Sequence, residues 1–257
     1  GIKRTNLQVL RVMWRFSRNC NRMVEAGWAV VAAHVIVFRE HVTEGADVKL
    51  TKSHVAMLED ILKWRRDVRH FDPRAVAEAD IRAILHSAAF APSVGNAQPW
   101  RFVRVRTRAL RDALAIHVDA QKAEAATRYR GTERYDRYQA LKLHGLREAP
   151  EVLAVFCDEQ PAAGHGLGVA TMPEMLRYSC VMAIHTLWLT ARLRGIGMGW
   201  VSIVDPLEVQ ALLDVPTDWS LIAVLCVGYP SEASLTPELE RHGWQAREPM
   251  DARIFER

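Results

Sequence analysis

Between Glu174 and Arg194 the chain carries a helical pattern that is apolar on most sides, and it closes on Gly195. Such a helix has to be buried on most sides, so this one is expected at the centre of the fold. Gly195 suits the left-handed residue that ends such helices. Soon afterwards Gly199 to Val204 reads as a strand, so the chain passes from its central helix into a sheet. A dinucleotide fingerprint needs the reverse order, a strand and then a glycine turn opening a helix. Gly195-Ile-Gly-Met-Gly199 therefore argues against a Rossmann site, and Gly164-His-Gly-Leu-Gly168 reads as a flexible loop.

Other elements follow from the same periodicities. From Ser53, read as an N-cap, Val55, Leu58, Ile61 and Leu62 form one stripe of a helix that ends near Arg66 to Arg69. Ile81, Ile84, Leu85 and Ala88 mark a second helix, which Pro92 must stop. Residues 91–99 are then a loop. Strands are expected at Trp100 to Arg106, Glu151 to Cys157 and Leu221 to Val227, and a short helix after Asp205-Pro206. Residues 109–147 read as mostly helical, with a charged middle at Arg128, Arg130, Arg134 and Arg137 that suits a solvated segment or lid. The elements alternate without a regular repeat, and no linker divides them. This predicts an α+β fold, helices packed on a small mixed sheet, as one domain over 53–257 behind a 1–52 extension of unknown role.

At 257 residues and 49% hydrophobic, the chain has the composition of a folded domain and not of a disordered one. Its formal charge of +4 comes from the first 27 residues, where Lys3, Arg4, Arg11, Arg15, Arg18 and Arg22 face Glu25 alone. With the remainder balanced, neither a nucleic-acid nor a membrane partner is expected. The apolar run Trp28 to Phe38, interrupted by His34, is far short of the roughly 20 residues a spanning helix needs. Cys20, Cys157, Cys180 and Cys226 form no C-x-x-C pair, which points to a reducing, cytoplasmic setting.

Neither H-E-x-x-H nor a paired-cysteine motif is present, so no metal site is expected; His185 is read as a core histidine. The lack of G-x-S-x-G removes the simplest serine hydrolase. Two segments do carry chemistry. Arg65-Arg66-Asp67-Val68-Arg69 offers three guanidinium forks suited to a phosphate, and would otherwise be a solvated basic turn. In Ala91-Pro-Ser-Val-Gly-Asn-Ala-Gln-Pro-Trp100 two prolines stiffen a loop whose Ser93, Asn96 and Gln98 present polar groups to a planar ligand, while Gly95 permits close approach.

These two segments resemble motifs of the nitroreductase-type flavoproteins. So do Tyr178-Ser179-Cys180, the helix through His185 to Gly197, the segment Met198 to Ser202, and residues 138–150 and 243–249, all in the expected order. Within that superfamily they are most similar to the BluB branch, the 5,6-dimethylbenzimidazole synthases. The resemblance implies a nitroreductase-like, interlocked homodimer with FMN at each subunit interface. It further implies that Arg65, Arg66, Arg69 and Arg247 hold the phosphate and ribityl end, within a cofactor-binding segment that includes Asp67 and Val68. Ser93, Gln98 and Lys142 would approach the flavin, and Gly199, Trp200 and Val201 would line its ring. In that branch reduced FMN is itself the substrate, which dioxygen dismantles to 5,6-dimethylbenzimidazole, the lower ligand of cobalamin, and erythrose 4-phosphate.

Asp67 and Ser179 match the branch at two positions where generic relatives differ, which implies that they are the catalytic pair. A carboxylate beside the flavin can take protons from the ring or sugar, and a hydroxyl can relay them. Read without the resemblance, Ser179 is an ordinary helix serine bonded to its own backbone. Leu187, Trp188, Met198 and Trp200 could wall a dry pocket or simply be core. The sequence departs from the branch at Asn96-Ala97, which is closer to generic nitroreductases, and in a shorter segment over His70 to Pro73. Two rival readings are an NAD(P)H-dependent FMN nitroreductase that retains its flavin, and a non-catalytic flavin-sequestering protein. With no dinucleotide site in the chain, the synthase reading implies a separate flavin reductase supplying reduced FMN.

Overall fold

The computed structural model describes residues 49–257. The expectations for the N-terminal extension, the Trp28 to Phe38 run and Cys20 lie outside the described residues. Helix α1 (Lys52–Trp64) is followed by a short strand β1 (Phe71–Asp72), helix α2 (Glu78–His86), strand β2 (Trp100–Arg104) and helices α3 (Arg108–Ala126) and α4 (Arg134–Ala140). Strand β3 (Glu151–Asp158), helix α5 (Met175–Leu193), strand β4 (Gly197–Val201), helix α6 (Pro206–Leu212), strand β5 (Trp219–Pro230) and helix α7 (Glu238–Arg241) complete the order.

The long strand β5 organises the sheet. It pairs with β3 along one edge and with β1 and β4 along the other, and β2 lies outside β3. Among the described residues every strand pair is antiparallel, a correction to the mixed sheet expected; parallel geometry there is confined to one bridge, Asp67 to Met198. Strand β3 is apolar at successive positions because both its faces are covered. Leu153 and Val155 join the core formed with α2 and α5, while Val152, Ala154 and Phe156 join the core formed with α3 and α6. The sheet is thus the middle layer between two sets of helices.

Local signals account for three of the helix ends. Asp205 accepts from the Leu207 and Glu208 amides ahead of Pro206 in the first turn of α6, and Thr107 caps α3 through the Leu110 amide. Gly195, at φ +68°, ends α5 as expected. Ser53 is not the N-cap of α1, which already begins at Lys52.

Helix α5 is buried on most sides, as expected, and open along one. Leu176, Ser179, Cys180, Ala183, Ile184, Leu187 and Ala191 are buried, while Tyr178 is 50% exposed and Val181, one turn on, and Leu193, at the far end of the helix, are also exposed. His185 is exposed too and is not a core histidine. Helix α1 buries none of its residues: Val55 is 56% and Leu58 50% exposed, and Met57, Leu62 and Trp64 are also open. Two neighbouring helices therefore leave apolar surface uncovered. Among the described residues, no helix is long and apolar enough to cross a membrane.

Candidate active site

The segment Arg65 to Arg69 lies beside β4, and a glycine makes that approach feasible. The Val68 amide donates to the Met198 carbonyl at 3.0 Å, and a Cβ added to Gly199 would stand 2.0 Å from the Val68 carbonyl oxygen. Gly199 is thus required by the backbone running past it. The same docking starts β4 at Gly197, earlier than the sequence pattern indicated.

Asp67 fastens the segment in place. Its Oδ1 accepts from the Trp200 amide at 2.8 Å, and its Oδ2 accepts from both Nε and Nη2 of Arg69 at 3.1 Å. Arg69 is buried and spends Nη1 on the Lys142 carbonyl at 2.9 Å. It is therefore a partner of Asp67 before it is a phosphate ligand. Burial pushes the Asp67 carboxyl above its usual range, and Glu238 adds to the push; the Trp200 amide and Arg69 oppose it. A carboxylate has about four lone-pair sites. With both on Oδ2 engaged by Arg69, the free one is on Oδ1.

Arg65 and Arg66 point to an anion. The Arg65 guanidinium lies over the Trp188 ring, 5.0 Å from its centroid, and Trp188 is stacked with Trp200 at 6.5 Å. Trp188 Nε1 donates to the Arg66 carbonyl at 3.1 Å, joining α5 to the arginine segment. Burial first, then Arg247, holds both guanidiniums below their usual values, and Arg192 adds to the effect at Arg66. The fold thus gathers Arg65, Arg66, Arg192 and Arg247, with Arg66 otherwise turned to backbone carbonyls of Lys63, Arg65 and Ser234. Trp244, three residues before Arg247, packs against Tyr129 and Tyr138 and so fixes the C-terminal segment against the charged region after α3. Arg192 escaped sequence reasoning, although it lies one helical turn beyond Trp188.

The polar loop belongs to the other end of α5. Ser93 Oγ accepts from the Gln98 amide at 3.1 Å, and Gly95, Asn96 and Gln98 all have positive φ. A Cβ on Gly95 would lie 2.9 Å from the Leu167 carbonyl, so the glycine-rich 164–168 segment is packed onto this loop and is not the free loop expected. Ala97 is buried in a cluster with Cys157, Leu176 and Cys180. Ser179 is fully buried; it donates to the Met175 carbonyl at 2.6 Å and accepts from the Val94 amide at 3.0 Å.

The predicted residues therefore fall into two groups. Arg65 to Arg69, Gly199, Trp200 and Arg247 come together, with Lys142 joined to them through its carbonyl while its Nζ pairs with Glu148 at 2.8 Å. Ser93, Gln98 and Ser179 form the second group. Ser179 and Trp188 stand about 14 Å apart along α5, so the two implied catalytic residues are tied to different regions of the chain. The Val201 side chain is buried in the α3 core, which leaves only its backbone to face a flavin ring. Leu187 and Met198 are core as well, whereas Trp188 and Trp200 remain partly open.

Residues 62–229 match the model of the Nitroreductase family. The chain belongs to that family. It is 56% identical over 193 residues to the 5,6-dimethylbenzimidazole synthase of Rhodospirillum rubrum, covering 75% of this chain and 90% of that one. A 5,6-dimethylbenzimidazole synthase of Rhodobacter capsulatus is 48% identical over 200 residues, 78% of this chain and 96% of the relative. These two place the chain in the synthase branch of the nitroreductase family. Among solved structures it is similar to an iodotyrosine deiodinase bound to FMN and 3-iodo-L-tyrosine, with a TM-score of 0.59 and 28% identity over 69% of this chain and 91% of that one.

The donors of this nitroreductase-family site fit FMN. The arginine cluster suits a phosphate, and the stacked indoles offer an aromatic wall to a planar ring. Each of two cavities at the arginine segment is about 30 Å³, far below the several hundred Å³ of an enclosed ligand site. A flavin held there by one chain would lie against an open surface.

Proposed function

We propose that the protein is a 5,6-dimethylbenzimidazole synthase, which uses dioxygen to fragment reduced FMN into 5,6-dimethylbenzimidazole and erythrose 4-phosphate. The observation that carries this reading is Asp67: a carboxylate fastened by Trp200 and Arg69 inside an arginine cluster, with one oxygen still able to accept a proton. The 56% identity to a curated synthase supports it. Reduced FMN supplies both the electrons for dioxygen and the carbon skeleton of the product. Arg65, Arg66 and Arg247, with Arg192 beside them, hold the phosphate end, and Trp188 and Trp200 exclude water from one side of the ring. Asp67 takes a proton at Oδ1 from flavin or sugar, with its raised basicity suited to the task. Ser179 holds the Val94 amide and so positions the loop that carries Ser93 and Gln98.

The site is completed by a second copy of the chain. The exposed apolar residues of α1 and α5, and the separation of the Asp67 and Ser179 groups along α5, support a homodimer. Each protomer would offer its arginine segment to the loop of its partner. A separate flavin reductase supplies reduced FMN, and the reaction belongs to the cytoplasm, where such a reductant is available.

A flavin balance tests the reading against the FMN nitroreductase alternative. With chemically reduced FMN in air, a synthase loses flavin that reoxidation does not restore. A nitroreductase returns all of its FMN and oxidises NAD(P)H with a nitroaromatic acceptor.

A further inference from the structure

A carboxylate that accepts a proton in every turnover must also discharge it, and the surroundings of Asp67 offer a route. One of the 30 Å³ cavities, polar and large enough for one or two waters, is bounded by Asp67, His70 and Glu238. Its other charged walls are Arg66 and Arg69 of the arginine segment, Glu232 after β5 and Arg241 on α7. The Glu238 side chain is only 8% exposed, yet its Oε1 is reached by two imidazoles, His70 Nε2 at 3.4 Å and His242 Nε2 at 3.9 Å. His70 is 40% exposed and so connects the buried carboxylate with solvent. None of this could be read locally, since His70 and Glu238 come from opposite ends of the domain.

We propose that Glu238 and His70 form a proton path between the cavity beside Asp67 and bulk solvent. This rests on the synthase reading, in which Asp67 is the proton acceptor. One proton moves and no electrons do. It leaves Asp67 Oδ1 for cavity water, that water protonates Glu238, Glu238 passes a proton to His70 Nε2, and the imidazole releases one from Nδ1. The electrostatic coupling of Glu238 to Asp67 fits carboxylates that share a site. His70, Glu232 and Glu238 also bring ligand-type atoms within 4.8 Å of one another. Glu232, however, is already paired with Arg241 at 2.8 Å, which favours a proton path over a cation site.

The test compares wild type, Glu238→Gln and His70→Asn in repeated turnovers, with reduced FMN in excess over enzyme in air-saturated buffer, from about pH 5 to 9, in water and deuterium oxide. Both variants are expected to bind FMN as wild type does, to form product roughly tenfold more slowly and to show a larger solvent isotope effect. Added imidazole should restore His70→Asn and leave Glu238→Gln unchanged. The acidic limb of the Glu238→Gln profile should move to lower pH, because the negative charge that raises Asp67 is gone. Wild-type rates and pH profiles in both variants would overturn the path, as would rate losses that only track weaker FMN binding. Loss of wild-type rate on chelation, restored by a divalent cation, would assign the cluster to a metal instead. A wild-type protein that makes no product would sink the synthase reading first, and the path with it.

Discussion

At the scale of single residues, two side chains that look alike in their resemblance to the synthases do different work. Asp67 keeps one oxygen able to accept a proton, so Asp67→Asn is expected to retain FMN binding, read by fluorescence quenching, and to lose product formation by at least about 100-fold. Product at the wild-type rate would remove Asp67 from the chemistry. Ser179 has both its donor and acceptor engaged. Replacing it with Ala strands the Val94 amide, at a cost of about 1–3 kcal/mol, so hydrogen exchange at Val94 should accelerate and the melting temperature fall by a few degrees; unchanged exchange would contradict its positioning role. Sequence reasoning read the arginine pentapeptide as a candidate anion site beside a solvated basic turn, which the same residues suit equally well. It could not show that Arg69 is spent on Asp67 and the Lys142 carbonyl, since that depends on a segment far along the chain.

At the scale of elements, the strands buried on both faces were legible as apolar runs, and the start of α6 as the short local signal Asp205-Pro206. The start of β4 was not, because a glycine normally reads as a turn. Here Gly197 and Gly199 are strand residues whose missing side chains admit the arginine segment. Gly199→Ala is accordingly expected to displace Val68 from β4, lower stability by about 2–3 kcal/mol, and weaken FMN binding together with it. Urea unfolding and an FMN titration on the same variant check this. Full stability with native affinity would mean that the segment docks without needing the glycine.

At the scale of the whole molecule, the open side of α5 is informative. The helix is buried on most sides, as its pattern demands, yet Tyr178, Val181 and Leu193 are exposed, as is the apolar face of α1. An apolar face in a sequence carries no mark of whether the same chain covers it. If a second copy does so, Leu58→Asp should turn a dimer into a monomer by light scattering and abolish FMN binding, because the loop of Ser93 and Gln98 would lose its opposite wall. A dimeric variant with intact FMN binding would place the interface elsewhere.

The central claim is that this protein consumes its flavin. The most direct measurement is mass-resolved chromatography after incubation with reduced FMN, with and without dioxygen, alongside Asp67→Asn. The account predicts 5,6-dimethylbenzimidazole and erythrose 4-phosphate in equal amounts, only with dioxygen and only with Asp67 present. Quantitative recovery of intact FMN from folded wild-type protein would contradict it.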